Sequence, residues 1–251
     1  MNNMYPKLAN PPIVEAVLDF DCDVPPSNNL KALEQSARAA FADRYPDVTP
    51  RYLQEMQVAS EQDGTFNSSL QQSLQAWMFR QSDGRQLVQV RQSGFSFNRL
   101  VPYEGFDAYL PEIQRVWDVY RELVAPISVQ TLRLRYINRI LLPLDGSRVD
   151  LGVYLTSQPA LPAEDRLILS GFFNQYSATD SDTGHQLTVV LAAQPPEDDK
   201  LPVILDNAVS ARGEWDPMDW SALHGVLESL RNLKNVIFFE TVKQPCLDLF
   251  R

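Results

Sequence analysis

The stretch Ser128–Leu142, SVQTLRLRYINRILL, constrains the fold more than any other part of the chain. A strand sends successive side chains to opposite faces. Here Leu132, Leu134, Tyr136 and Ile140 fall on one face and Arg133, Arg135 and Arg139 on the other. The formal net charge is −10, so three arginines on one strand face are a local reversal of sign. The segment is expected to be the central strand of a sheet that is apolar on one side and polar on the other.

Length and composition set the outer limits. A chain of 251 residues forms one large domain or two halves of ordinary size. Hydrophobic residues at 44% and charged residues at 22% match a globular chain with a normal core. A pI near 4.7 weighs against direct nucleic-acid binding and against anionic membranes, since phosphate contacts need clustered Lys and Arg. No stretch reaches the roughly 18 apolar residues of a membrane span. The N-terminus shows no charged leader followed by an apolar run. A cytoplasmic protein without membrane contact is expected. Cys22 and Cys246 lie far apart, and with only two histidines a Cys/His zinc site is not expected. Reduced thiols suit that compartment. No Gly-rich phosphate loop or dinucleotide fingerprint occurs, so no metal and no cofactor is anticipated.

Along the chain, Pro11-Pro12 leads into an amphipathic strand, Ile13–Asp21, with Val14, Ala16, Leu18 and Phe20 on one face. Glu15, Asp19 and Asp21 stand on the other. A helix follows, capped by Ser27 or Asn28, with Leu30, Leu33, Ala37 and Phe41 at helical spacing. Strands are expected at Tyr52–Ser60, Gln75–Gln81 and Gln86–Arg99, the last a single long strand after the Asp83-Gly84 turn with Gly94 as a bulge. Phe106–Val124 is the clearest helix, its stripe running through Leu110, Ile113, Val116, Trp117, Tyr120 and Val124. After the arginine strand come a short helix capped by Asp150 and strands at Arg166–Ala178, Gln186–Ala193 and Leu201–Arg212. A last helix starts at Asp216-Pro217, runs through Leu223, Leu227, Leu230 and Ile237, and ends at Pro245.

Residues 1–125 and 126–251 thus both read strand, helix, three strands, helix, either as two similar halves or as one continuous domain. Each carries an Asn-Arg pair on a strand, Asn98-Arg99 and Asn138-Arg139, a pattern compatible with internal duplication. The fold class is α+β, an antiparallel sheet with helices packed on it.

Five segments, PPIVEAVLDF, SFNRLVPYEGFDAYLPEI, LRLRYINRILLP, PVILDNAV and LHGVLESLRNLKNVIFFETV, occur in this order. Together they resemble a sporadically distributed family of bacterial and archaeal proteins of about this length, marked by a PPIxEA start and an RYINRI strand. The resemblance covers nearly the whole chain and is looser at Glu240–Lys243. It implies a single unit of fixed length. It carries no established activity and transfers no catalytic residue.

Two constellations could carry chemistry. Arg133 and Arg135 can face Glu15 and Asp19 if their strands are neighbours, and Asp206, which interrupts the apolar run VILDNAV, needs a cationic partner. These five form a structural charge network. Asn98, Arg99, Asn138 and Arg139 can instead bracket an anion or a nucleotide phosphate, because the planar guanidinium fork bonds two oxygens at once. His224 reads as a structural histidine beside Leu223, and Asp180–His185 as a hairpin turn.

The favoured expectation is a non-enzymatic binding or regulatory protein acting through a protein partner. A basic partner suits the acidity, a homo-oligomer is compatible, and the sporadic family it resembles suggests an accessory, toxin–antitoxin-like setting. The rival is a binder of, or enzyme acting on, a phosphorylated or nucleotide-like small molecule at the Asn/Arg residues. A deep pocket with Arg99 or Arg139 at its base favours the rival, and a flat exposed patch the first reading.

Overall fold

A computed structural model describes residues 5–26, 28–60, 66–146, 148–157, 159 and 169–251. The elements run β1 (Ile13–Asp23), α1 (Glu34–Phe41), β2 (Asp47–Ser60), β3 (Phe66–Arg80), β4 (Gln86–Arg91), β5 (Gly94–Leu100) and α2 (Phe106–Val124). They continue β6 (Ser128–Pro143), α3 (Leu151–Tyr154), β7 (Phe173–Thr179), β8 (Gln186–Ala193), β9 (Lys200–Trp215), α4 (Trp220–Thr241) and α5 (Gln244–Leu247). The fold is α+β. All the strands join in one antiparallel sheet, ordered β2-β3-β4-β5-β1-β6-β9-β8-β7. The arginine strand β6 therefore lies beside the middle strand, which is β1. On each side of the β1–β6 seam, the last strand of that part of the chain returns to pair with its first: β5 with β1, β9 with β6. The sheet is continuous across residue 125.

Alternation decides which face is buried. Ala16, Leu18, Phe20 and Cys22 of β1 point to the same side as Leu132, Leu134 and Tyr136 of β6, and α1, α2 and α4 pack there. Farther along, Ile140 and Leu142 meet α3, α5 and the C-terminal part of α4. Every helix thus buries its apolar side chains against one face. Trp117 of α2 is the hub: it has no exposure, stacks on Phe20 at 4.5 Å between ring centroids, and donates from its indole N–H to the Pro217 carbonyl at 3.3 Å.

Several boundaries differ from the sequence expectation, each for a local reason. Gln86–Arg99 is a hairpin and not one long strand: Arg91 pairs with Gly94 across a turn at Gln92-Ser93. Gly94 is required there, because a Cβ would lie 2.5 Å from the Phe20 carbonyl oxygen of β1. The N-terminal part therefore has four strands after α1. Helix α1 begins at Glu34, since Asn28 turns away to donate to the Gln92 carbonyl (2.9 Å) and no side chain caps the helix. The other expected cap, Ser27, lies outside the described residues. Helix α4 begins three residues after Pro217, where the Asp219 carboxylate accepts the Ala222 N–H at 2.9 Å. Strand β7 begins at Phe173, and 166–168 of its expected start lie outside the described residues. The short α3 carries its expected cap, Asp150 accepting from Gly152 N–H.

Replacing Trp117 by Ala removes a fully buried indole from three aromatic neighbours, Phe20, Phe95 and Tyr120. The expected loss is about 3–5 kcal/mol in chemical denaturation.

Candidate functional site

The two faces of the β1–β6 seam carry different chemistry. On the open face, register sets Asp19 opposite Arg133 and Val17 opposite Arg135. Arg133 reaches Asp19 at 3.8 Å and Asp21 at 4.0 Å. Arg135 forks onto Asp206 of β9, Nε to Oδ1 at 2.9 Å and Nη2 to Oδ2 at 2.6 Å. Glu15 has no arginine; it accepts from Asn98 at 2.7 Å, and Gln89 in turn donates to Asn98 at 3.1 Å. Arg139 pairs with Glu197 and donates to Gln194, both in the stretch between β8 and β9. It cannot reach the acidic residues of β1, because β1 ends at Ile13, opposite Asn138. Arg91, which the sequence reading did not include, completes the set with Asp21 at 3.0 Å. The face is a network whose charges answer one another. Arg133 and Arg135 are 40% and 46% exposed, so solvent screens the arginine end of each pair, while Asp19 and Asp206 are 17% and 13% exposed.

The four Asn/Arg residues do not form one site. Neighbours on a strand point to opposite faces, so Asn98 and Arg139 belong to the open face while Arg99 and Asn138 belong to the helix face. Arg99 is buried, lies over the Tyr109 ring at 4.8 Å and donates to the Pro102 carbonyl. It borders a void of about 20 Å³ behind Tyr103 and Tyr136. Asn138 donates to the Leu205 carbonyl at 2.9 Å and lines a much larger space on the other side of that tyrosine pair.

That space is a cavity of about 670 Å³. Its floor is Tyr136 and Asn138 of β6. One wall is Arg231, Lys234, Asn235, Phe238 and Phe239 of α4, and another is Tyr103–Ala108, the lead-in and first turn of α2. Gly105 makes that sharp entry with φ of +117°, a backbone setting that other residues rarely adopt. The N-terminal segment from Tyr5 to Ile13 closes the remaining side. It is held by Tyr5 stacked on Phe239 at 4.5 Å, by Asn10 N–H on the Phe250 carbonyl and by Arg139 N–H on the Pro12 carbonyl. Four of the five segments that carry the family resemblance meet at this cavity.

The electrostatics of the cavity centre on two cations of unequal standing. Arg231 is fully committed: it forks onto Asp107 at 2.7 and 2.8 Å, approaches Glu228 at 3.2 Å and lies over Phe106 at 5.2 Å. These carboxylates hold its proton more firmly than usual despite burial, and Arg231 in turn holds the Asp107 carboxyl below the ordinary range. Lys234 has neither a hydrogen bond nor an ion pair among the described residues. Its Nζ lies 3.9 Å from the centre of the Tyr136 ring. The side chain opens in part to the cavity and is otherwise enclosed, and burial, followed by the positive charge of Arg231, pushes its pKa down to about 7. The Tyr103 and Tyr136 hydroxyls share a hydrogen bond at 2.9 Å, and burial pushes Tyr136 up to about 12 and raises Tyr103 as well, so both stay neutral.

Other candidates serve the fold. His185 bonds Ser229 at 2.9 Å, tying the β7–β8 turn to α4. His224 lies one helical turn from Glu228 at 3.7 Å and is 38% exposed. Asp180 accepts from Thr183 and shapes the expected hairpin turn. Both cysteines are free and buried. No helix among the described residues is long and apolar enough to cross a membrane.

Comparison with protein-family models returned no match, and a search of curated proteins returned none either.

Lys234, Arg231, Asp107 and Tyr103 were absent from the sequence-derived site. One signal for Lys234 was present: it falls four residues after Leu230 and four before Phe238, in the buried stripe of α4.

Two expectations follow from these geometries. Arg135→Ala should cost about 1–3 kcal/mol in chemical denaturation, since Asp206, only 13% exposed, is left without its forked partner. Lys234 behaves differently. Below about pH 7 it is charged in both folded and unfolded chains, and its burial penalty is fully present. Between about 7 and the ordinary lysine range the folded chain releases a proton that the unfolded chain keeps, so stability rises with pH across that window. Lys234→Met should therefore raise the melting temperature most at pH 6 and progressively less toward pH 10.

Proposed function

We propose that this protein binds a small molecule in the 670 Å³ cavity, with an anionic group of the ligand against Lys234 and a flat or apolar portion against the aromatic walls. The observation that carries this reading is the Lys234 ammonium, largely enclosed beside open volume and without an acidic partner among the described residues. A buried charge is costly unless it is paired, and a ligand carboxylate or phosphate ester would supply the missing partner. The first turn of α2 borders the same space, and the positive end of its helix dipole favours an anion. Tyr103, Phe106, Phe238 and Phe239 provide the apolar body of the site. Arg231, already bound to Asp107 and Glu228, positions the walls.

Pro11-Pro12, Tyr103–Phe106, Tyr136-x-Asn138 and the α4 segment, far apart in sequence, all contribute lining. A protein-partner role draws less support. Among the described residues the charges beside the β1–β6 seam, Glu15 apart, pair with one another, so that part of the face offers little unmatched charge to a basic partner.

Benzoate and phenyl phosphate are simple probes of the cavity. Either should raise the melting temperature of the protein at pH 6.5, and calorimetry should show at least about a ten-fold loss of affinity in Lys234→Met, the equivalent of about 1.4 kcal/mol. Arg139→Ala, on the opposite face, should bind like the parent. Absence of binding by both probes, or equal binding by Lys234→Met, would overturn the proposal.

A further inference from the structure

Resting on that reading, we propose that the cavity takes carbonyl compounds covalently, with Lys234 Nζ condensing with an aldehyde or ketone to form an imine. The geometry supplies what an amine nucleophile needs. A lysine is ordinarily kept protonated at neutral pH by its own basicity and by hydration, and a neighbouring carboxylate reinforces this. Here two acidic groups on the packed elements, Asp107 of α2 and Glu228 of α4, are both drawn to Arg231. Glu104 and Lys7 also line the cavity, and neither pairs with Lys234 among the described residues. His224 adds further positive charge beside Asp107 when protonated. The Arg231 guanidinium, three residues earlier on the same helix, is a like charge, and together with burial it brings Lys234 close to half deprotonated at neutral pH. Desolvation beside a second cation is one of the established ways a protein activates lysine.

The reaction balances without another reagent. The amine lone pair adds to the carbonyl carbon, and a proton passes from nitrogen to oxygen to give the carbinolamine. Loss of hydroxide with one proton, as water, leaves the carbon–nitrogen double bond. The neutral Tyr103–Tyr136 hydroxyl pair lines the same space and can donate a hydrogen bond to the carbonyl oxygen. The Tyr136 ring beneath Nζ favours the cationic, protonated imine. The aromatic walls select a carbonyl compound with a planar or apolar body, such as an aromatic aldehyde.

The test uses the intact chain at pH 7 with benzaldehyde and sodium cyanoborohydride, which reduces the imine to a stable amine, followed by intact-mass measurement and peptide mapping. The other four lysines, Lys7, Lys31, Lys200 and Lys243, are internal controls. A single adduct on Lys234, formed at least about ten times faster than on any control lysine, is the expected result, because an ordinary lysine is almost wholly protonated at this pH. Lys234→Arg, which keeps the cation and cannot form an imine, should lose that adduct. Labelling spread evenly over the lysines, or sparing Lys234, overturns the imine. If benzoate binding then persists and depends on Lys234, the anion-binding reading stands alone; if benzoate binding and the adduct are both absent, both readings fall.

Discussion

The antiparallel seam between β1 and β6 is the contact on which the rest of the structure depends. It joins a strand near the start of the chain to one that begins beyond residue 125, and without it the two parts would be separate, smaller sheets. Its register is fixed twice over. On the helix side, Leu18 meets Leu134 and Phe20 meets Leu132 in the core; on the open side, Asp19 meets Arg133. A slip by one residue would bury the charges and expose the core, so the apolar face enforces the register far more strongly than the half-exposed ion pairs do. Gly94 adds a third restraint, letting β5 come close enough to β1 that no other side chain fits.

The cavity lies where this seam stops. β1 begins opposite Asn138, so the last residues of β6 have β9 on one side and no β1 partner on the other. The N-terminal segment crosses this gap on the helix side, α4 runs past it, and the entry to α2 bounds it. A fold that pairs its first strand only part of the way along a longer partner leaves a recess at the unpaired end. The residues placed there have fewer packing obligations than those of the core. That freedom is what allows an unpaired lysine to sit on an otherwise apolar helix face.

Much of the architecture was legible in the sequence. The alternation in Ser128–Leu142, the stripe of α2, the Asp150 cap and the α+β class all follow from period and capping rules that act within a few residues. The Arg135–Asp206 pairing was legible as a need, since Asp206 interrupts an apolar strand, but its partner depended on strand order. Gln92-Ser93 lacks the Asn-Gly or Asp-Gly pair that marks a tight hairpin, and Gly94 reads as a bulge, so β4 and β5 read as one strand. The site was less legible still. Reading Asn98-Arg99 and Asn138-Arg139 as units overlooked the same alternation that made β6 recognisable. Lys234 was hidden because a lysine in a leucine-rich helix reads as a solvated position. Only the sheet order, which brings α4 over Tyr136, shows what surrounds it.

The division of Asn138 from Arg139 has a consequence for how the molecule can change. Adjacent residues report to two surfaces that share a backbone and little else: one borders an enclosed recess, the other belongs to an open, self-paired sheet face. The thickness of a single strand therefore insulates them. Substitutions at Arg133, Arg135 and Arg139 can retune solubility or surface charge without touching the recess, and those at Tyr136 and Asn138 can reshape the recess without altering the outer face.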